Sequence, residues 1–160
     1  MFENLLDPVL FLAGLTAAVV AGVFLTFSDF VMRALGASAA SAGAEAMQHI
    51  NRVVYRSLFM ILLLGSVPLA GALLIVALTS APAAVAYWMG AGALSYFLGV
   101  FVVTAFGNVP MNQKLDALDH TSYAGQGYWI VYLKSWTRLN HVRTIFSLVT
   151  AICYFMAAVH

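Results

Sequence analysis

The stretch SLFMILLLGSVPLAGALLIVALTSAPAAVAYWMGAGALSYFLGVFVVTAFGNVPMNQ, residues 57–113, runs for 57 residues without a charge and without a histidine. A helix needs about 20 apolar residues to cross a hydrocarbon core roughly 30 Å thick, so this stretch holds two spans. The turn between them falls at Thr79 to Ala83, where Ser80 and Pro82 interrupt the run. Upstream, the 21 uncharged residues between Asp7 and Asp29 supply a further span. Downstream, Thr144 to Val159 supplies a fourth, only 16 residues long. It covers about 24 Å, so Asn140, His141 and Arg143 must sit at or inside the hydrocarbon boundary. The expected fold is all-α: a single integral membrane domain over 1–160, a transmembrane four-helix bundle running up-down-up-down. Its spans fall at approximately 9–33, 53–78, 84–108 and 140–159, with loops over 37–43 and 115–127.

Composition agrees. Of 160 residues, 63% are hydrophobic and 8% charged, against roughly a quarter charged in a soluble domain. This excludes a water-soluble globule and a disordered chain, and seven basic against six acidic residues exclude a nucleic-acid partner. The single cysteine, Cys153, cannot build an intramolecular disulfide or a CxxC site. A secretory signal carries positive charge ahead of its apolar run, whereas Glu3 and Asp7 stand here, so the first segment reads as a retained helix. All seven Lys and Arg residues lie at the ends facing the first and third connections. By the positive-inside rule the expected location is the cell inner (cytoplasmic) membrane, multi-pass, with both termini outside. Arg52, Arg56 and Lys134 are expected to anchor in lipid head groups, so membrane lipids are one partner. Small residues at Gly14, Ala18 and Gly22, and at Ala91, Ser95 and Gly99, form columns along which helix backbones can approach. Pro68 removes a backbone bond from the second span and Pro110 one from the third.

Polar residues gather at one end of every span. Thr26, Asp29 and Arg33 form one stripe, Gln48, Asn51, Arg52, Tyr55 and Arg56 another, and Thr104, Asn108 and Asn112 a third at i, i+4 and i+8. Asn140, Arg143 and Ser147 share a face of the fourth span, with His141 about 100° away. Two readings of the asparagines stay open, ties between helices or a site, and Asp29 with Arg33 reads either as part of that site or as an interfacial ion pair. A duplication is also legible: Phe27 to Met32 aligns with Phe106 to Met111, and Ile50 to Val53 with Leu139 to Val142. It implies two hairpins related as a parallel internal repeat.

With FSDFVM at 27–32, MQHINR at 47–52, GNVPMN at 107–112 and WTRLNHVRT at 136–144, the chain resembles the anthrone oxygenase-like family of small four-helix membrane proteins over about residues 10–158. The resemblance implies oxidation of an anthrone to an anthraquinone by molecular oxygen with no cofactor. It places the family's recurrent polar residues on Asn51, Asn108, Asn112, Asn140, His141 and Arg143.

The chemistry this requires is modest: a base, an oxyanion partner and a dry apolar pocket. His141 is the expected base, because imidazole accepts protons near neutral pH. Asn108, Asn140 and Arg143 are the expected catalytic partners for a developing oxyanion. Asn51, Asn112 and Asp29 complete the substrate site, and Trp136 stacks on a small hydrophobic aromatic molecule. A metal or haem reading draws on His49 and His141, but neither has a second His, Cys or carboxylate at i+3 or i+4. The competing class of function is non-catalytic: a lipid or quinone binder, or an accessory subunit in a homo-oligomer or larger membrane complex. Whether the polar end encloses a cavity large enough for a multi-ring molecule separates the two.

Overall fold

The structure, a computed structural model, describes residues 3–160 and the side chains from Leu5 onward, so Glu3 lies outside the described side chains. Among the described residues every regular element is a helix. Four are long and apolar enough to cross a membrane: α1, Leu5–Ala37; α3, Leu58–Thr79; α4, Ala83–Asp116; and α5, Tyr123–Ala158. A shorter amphipathic helix, α2 (Ala40–Val54), joins α1 to α3.

The helix ends differ from the expected span limits. α1 continues to Ala37, α4 to Asp116, and α5 begins at Tyr123, so three helices extend past the apolar core. The intervening loops are correspondingly shorter than expected. Ser38 and Ala39 alone separate α1 from α2, and α5 starts at a cap in which the Ser122 hydroxyl accepts from the Gly125 amide at 3.0 Å. The second membrane helix starts at Leu58 rather than near 53, because the chain breaks at Tyr55 to Ser57. There the Ser57 hydroxyl donates to the Val54 carbonyl at 2.6 Å and accepts from the Met60 amide at 3.3 Å. One hydroxyl thus serves the end of α2 and the start of α3.

α5 packs along α1 and α4, while α3 closes against α4 and α1. Leu10, Leu73, Met89 and Tyr154 fill the interior at the end bearing the termini. Val20, Phe24, Leu63 and Tyr96 fill the middle, and Met32, Met47, Trp129 and Tyr132 the polar end. The outward faces remain apolar, with Leu12, Ile61, Leu78 and Ile152 all exposed, the inverse of a soluble protein and suited to acyl chains.

Of the expected close-approach residues, Gly14 on α1 and Ser95 and Gly99 on α4 lie in the helix contacts, while Ala18, Gly22 and Ala91 stand beside them. On α1 Gly22 is exposed with open space around it, and Ala13, Gly14, Ala17 and Ala21 make the buried face. On α4 the contact with α5 runs through Gly92, Ser95 and Gly99: the Ser95 hydroxyl donates to the Phe146 carbonyl at 2.9 Å and the Thr150 hydroxyl to the Gly92 carbonyl at 3.3 Å. The offset is one helical step, which an alanine-rich sequence does not resolve.

Among the described residues three widened π turns interrupt the long helices, at Phe27–Val31 in α1 and at Tyr96–Val102 and Thr104–Asn108 in α4. The last lies just ahead of Pro110, whose missing N–H removes a backbone bond from the same stretch. The turns at Phe27–Val31 and Thr104–Asn108 overlap the two stretches that align as a repeat. The other aligned pair diverges, since α5 is continuous through Asn140 while the chain breaks four residues after Asn51.

Candidate functional site

The break at Tyr55 to Ser57 and the widened turns open a cavity of about 510 Å³ at the polar end, bounded by α1, α2, the first turns of α3, the Thr104–Asn108 turn of α4 and α5. Its walls are mainly apolar and aromatic, with Phe24, Phe27, Phe59 and Trp136 among them. Set into those walls are His49, Asn51, Thr104, Asn108, Asn112 and Arg143. A volume in this range accommodates a multi-ring organic molecule, and a few polar groups on an apolar wall are the usual composition of such a site.

Arg143 dominates the electrostatics. It is 5% exposed, and no carboxylate among the described residues lies within ion-pair distance of it. Its Nη2 donates to Asn140 Oδ1 at 2.7 Å and its Nη1 reaches Thr104 Oγ1 at 3.5 Å. The guanidinium lies 4.2 Å from the centre of the Phe24 ring and 5.1 Å from that of Trp136. Two aromatic faces and two neutral oxygens therefore hold a cation that has no counter-ion, and its buried Nε makes no hydrogen bond. A desolvated, unpaired charge of this kind is costly to keep and attracts any anion that enters the cavity.

The asparagines split into supporting and presenting groups. Asn140 is fully buried and stands behind the wall: its Nδ2 donates to the Phe24 carbonyl and to Ser28 Oγ, each at 2.7 Å, and its Oδ1 holds Arg143. Asn112 Oδ1 accepts from the Tyr132 hydroxyl at 2.7 Å and from Trp136 Nε1 at 2.8 Å, which fixes the Trp136 ring. Tyr132 in turn accepts from Asn51 Nδ2 at 3.5 Å. Asn108 Nδ2 donates to the Trp136 carbonyl at 3.2 Å, and its Oδ1 is buried with no partner. Behind the cavity surface, Arg143 Nε and Asn108 Oδ1 are thus both buried without a hydrogen-bond partner.

The sequence-selected residues sort accordingly. Asn51, Asn108, Asn112, Trp136 and Arg143 line one cavity, and Asn140 braces it from behind. Two do not belong. His141 is exposed and absent from the lining, because one residue beyond the fully buried Asn140 turns it about 100° to the outside of α5. Asp29 pairs with Arg33 at 3.5 Å with both side chains largely exposed, the interfacial ion pair and not a ligand contact. His49, weighed from the sequence only as half of a metal or haem pair, lines the cavity from α2 and is itself exposed. Sequence reasoning missed Tyr132 as a network member. The signal was present, since Tyr132, Trp136, Asn140 and Arg143 follow one another at i, i+4, i+8 and i+11. Of the two histidines considered as metal ligands, only His49 faces the cavity, and among the described residues no three His, Cys, Asp or Glu side chains gather in one place.

No curated protein and no solved structure matches the chain. The model of a family described as anthrone oxygenase matches residues 8–153, a stretch that contains every residue of the cavity wall. A match over nearly the whole chain places this membrane protein in the anthrone oxygenase family.

Proposed function

We propose that the cavity binds an enolisable phenolic or polycyclic ketone and promotes its oxidation by molecular oxygen without a bound cofactor. The observation that carries this reading is the Arg143 guanidinium, buried without a carboxylate in the wall of an aromatic cavity. Family membership supports the reaction class. On this reading the polar end faces the cytoplasm and the termini lie outside, as the distribution of Lys and Arg argues.

The substrate carbon beside the ring system loses a proton, and the electrons it leaves behind spread onto the carbonyl oxygen. Arg143 stabilises that oxyanion, more strongly in a water-poor cavity than in bulk solvent. His49, at the mouth, takes the proton and passes it to solvent through its exposed edge. The electron-rich enolate transfers electrons to oxygen, a carbon–oxygen bond forms, and protonation gives a hydroperoxide at that carbon. Loss of water from the hydroperoxide leaves a new carbonyl. One oxygen molecule is consumed and one water released per ketone formed, with no outside reductant. Phe27, held against Trp136 with ring centres 5.9 Å apart, and Phe59 supply flat surfaces for the substrate.

Oxygen uptake by the purified protein with an anthrone tests this, expected at one oxygen per quinone formed. His49→Ala should lower the rate about 10²-fold, while His141→Ala leaves it unchanged. Full activity in a folded His49→Ala variant contradicts the assignment of the base. The mainly apolar wall also suits a quinone or lipid held without turnover; anthrone binding without oxygen uptake favours that reading.

A further inference from the structure

Tyr128, Tyr132 and Trp136 recur every four residues along α5, and Trp129 stands one step from the first, so helical spacing gathers four oxidisable rings at the polar end. Tyr132 is the hub. Its ring lies nearly parallel to that of Trp136, with centres 5.9 Å apart and planes at 22°, and to that of Trp129, at 5.6 Å and 19°. Tyr128 meets it edge-on at 6.3 Å. Rings at these separations are in van der Waals contact, and electrons tunnel readily between aromatic systems that touch.

The two ends of the column differ. Trp136 lines the cavity beside the Arg143 guanidinium, 5.1 Å away, whereas Tyr128 lies on the extension of α5 past the apolar span and is partly exposed. A positive charge on Trp136 is repelled by Arg143 and favours Tyr128, which lies about 22 Å along the helix axis from Arg143. Tyr132 does not retain it. Its hydroxyl is buried and donates to Asn112 Oδ1 at 2.7 Å, and an amide oxygen does not take the proton that a phenol must lose to become a stable radical. Tyr128 can release that proton to water. Lys114 Nζ, 4.5 Å from the Tyr128 ring centre, disfavours a cationic ring, so electron and proton leave Tyr128 together.

We propose that Trp136, Tyr132 and Tyr128 form a one-electron relay that carries oxidising equivalents out of the cavity to the water-exposed side of the polar end. The source of the oxidant rests on the oxidation proposed above; the relay does not. Homolysis of the hydroperoxide O–O bond gives an alkoxyl and a hydroxyl radical. Either one takes an electron from Trp136 and a proton, and ends as an alcohol or as water. Tyr132 refills Trp136, and Tyr128 refills Tyr132 while releasing its own hydroxyl proton. The net change is one oxygen radical reduced and one Tyr128 phenoxyl radical formed, with the proton taken up balanced by the proton released. A thiol in solution, donating one hydrogen atom, restores the phenol.

The test needs no ligand. Trp88, the remaining tryptophan, packs at the end bearing the termini with its ring centre 5.3 Å from that of Tyr87, so it is first replaced by Phe. A laser pulse at the long-wavelength edge of indole absorption, where tyrosine is transparent, then ejects an electron from Trp129 or Trp136 of the full chain in detergent. The indolyl absorption is expected to decay with matching growth of phenoxyl absorption. Tyr128→Phe should abolish the phenoxyl signal, and Tyr132→Phe should strand the indolyl radical. An indolyl radical that decays in place in the parent protein overturns the proposal, as does a phenoxyl signal undiminished in Tyr128→Phe. Should Tyr132→Phe not fold, the comparison of the parent with Tyr128→Phe still decides. During anthrone turnover Tyr128→Phe should start at the wild-type rate and lose activity after fewer turnovers; equal endurance also overturns the proposal. In a protein that takes up no oxygen the laser result alone decides, so failure of the oxidation and failure of the relay are read separately.

Discussion

Arg143→Gln is expected to lower anthrone turnover about 10²- to 10³-fold, the usual cost of deleting one preorganised oxyanion donor and equivalent to about 2.7–4 kcal/mol. Stability should not fall in parallel. Glutamine relieves the cost of a buried unpaired charge, and the freed Asn140 Oδ1 can accept from its amide, so thermal unfolding should occur at the same temperature or higher. A purely structural arginine gives the opposite pattern, a less stable protein with normal specific activity in the folded fraction. Arg143→Lys separates charge from shape. An ammonium keeps the charge but gives up the fork that engages Asn140 and Thr104 and the flat contact with Phe24. Its activity should fall between wild type and the glutamine variant.

Gly99→Ala is expected to be the most damaging small substitution in the membrane interior. A Cβ on Gly99 would overlap the Cβ and Cγ of Phe146. The Phe146 Cβ is fixed to the α5 backbone, so rotating the side chain does not relieve the clash and the two helices must part. Parting them strains the Ser95–Phe146 and Thr150–Gly92 hydrogen bonds on the same seam. The summed cost is about 3 kcal/mol, more than a hundredfold in the folded population. Phe146→Ala should partly rescue it in the double variant, a coupling that unfolding in detergent measures directly. Gly22→Ala, facing open space, is the matched control and should change little.

How much of this the sequence discloses depends on the length scale of each feature. The membrane helices follow from charge-free runs of 16 to 57 residues, so their number and their common polar end are legible. Asn51, Asn108, Asn112 and Arg143 were legible for the same reason, since each repeats a helical spacing in a span with few other polar groups. What fails is anything decided by one step of helical rotation. His141 and Asn140 are adjacent, and only the packing of α5 against α1, through the Asn140 bonds to Phe24 and Ser28, selects the inward one. Gly22 and Ala21 trade places for the same reason. His49 was hidden differently, because it serves the cavity only after the break at Tyr55 to Ser57 lets α2 fold across the polar end. Gln48 fixes that fold by donating to the Leu115 and Leu118 carbonyls, each at 2.8 Å. A contact 67 residues away in sequence leaves no periodic trace.

An experimental structure with a bound hydroxyanthraquinone decides whether an uncompensated guanidinium in an aromatic cavity receives an oxyanion. The expected result is a ring system against Phe27, Phe59 and Trp136, with one oxygen within about 3 Å of a guanidinium nitrogen of Arg143. A ligand seated elsewhere, or a carboxylate found against Arg143 with the cavity closed by side chains, would contradict it.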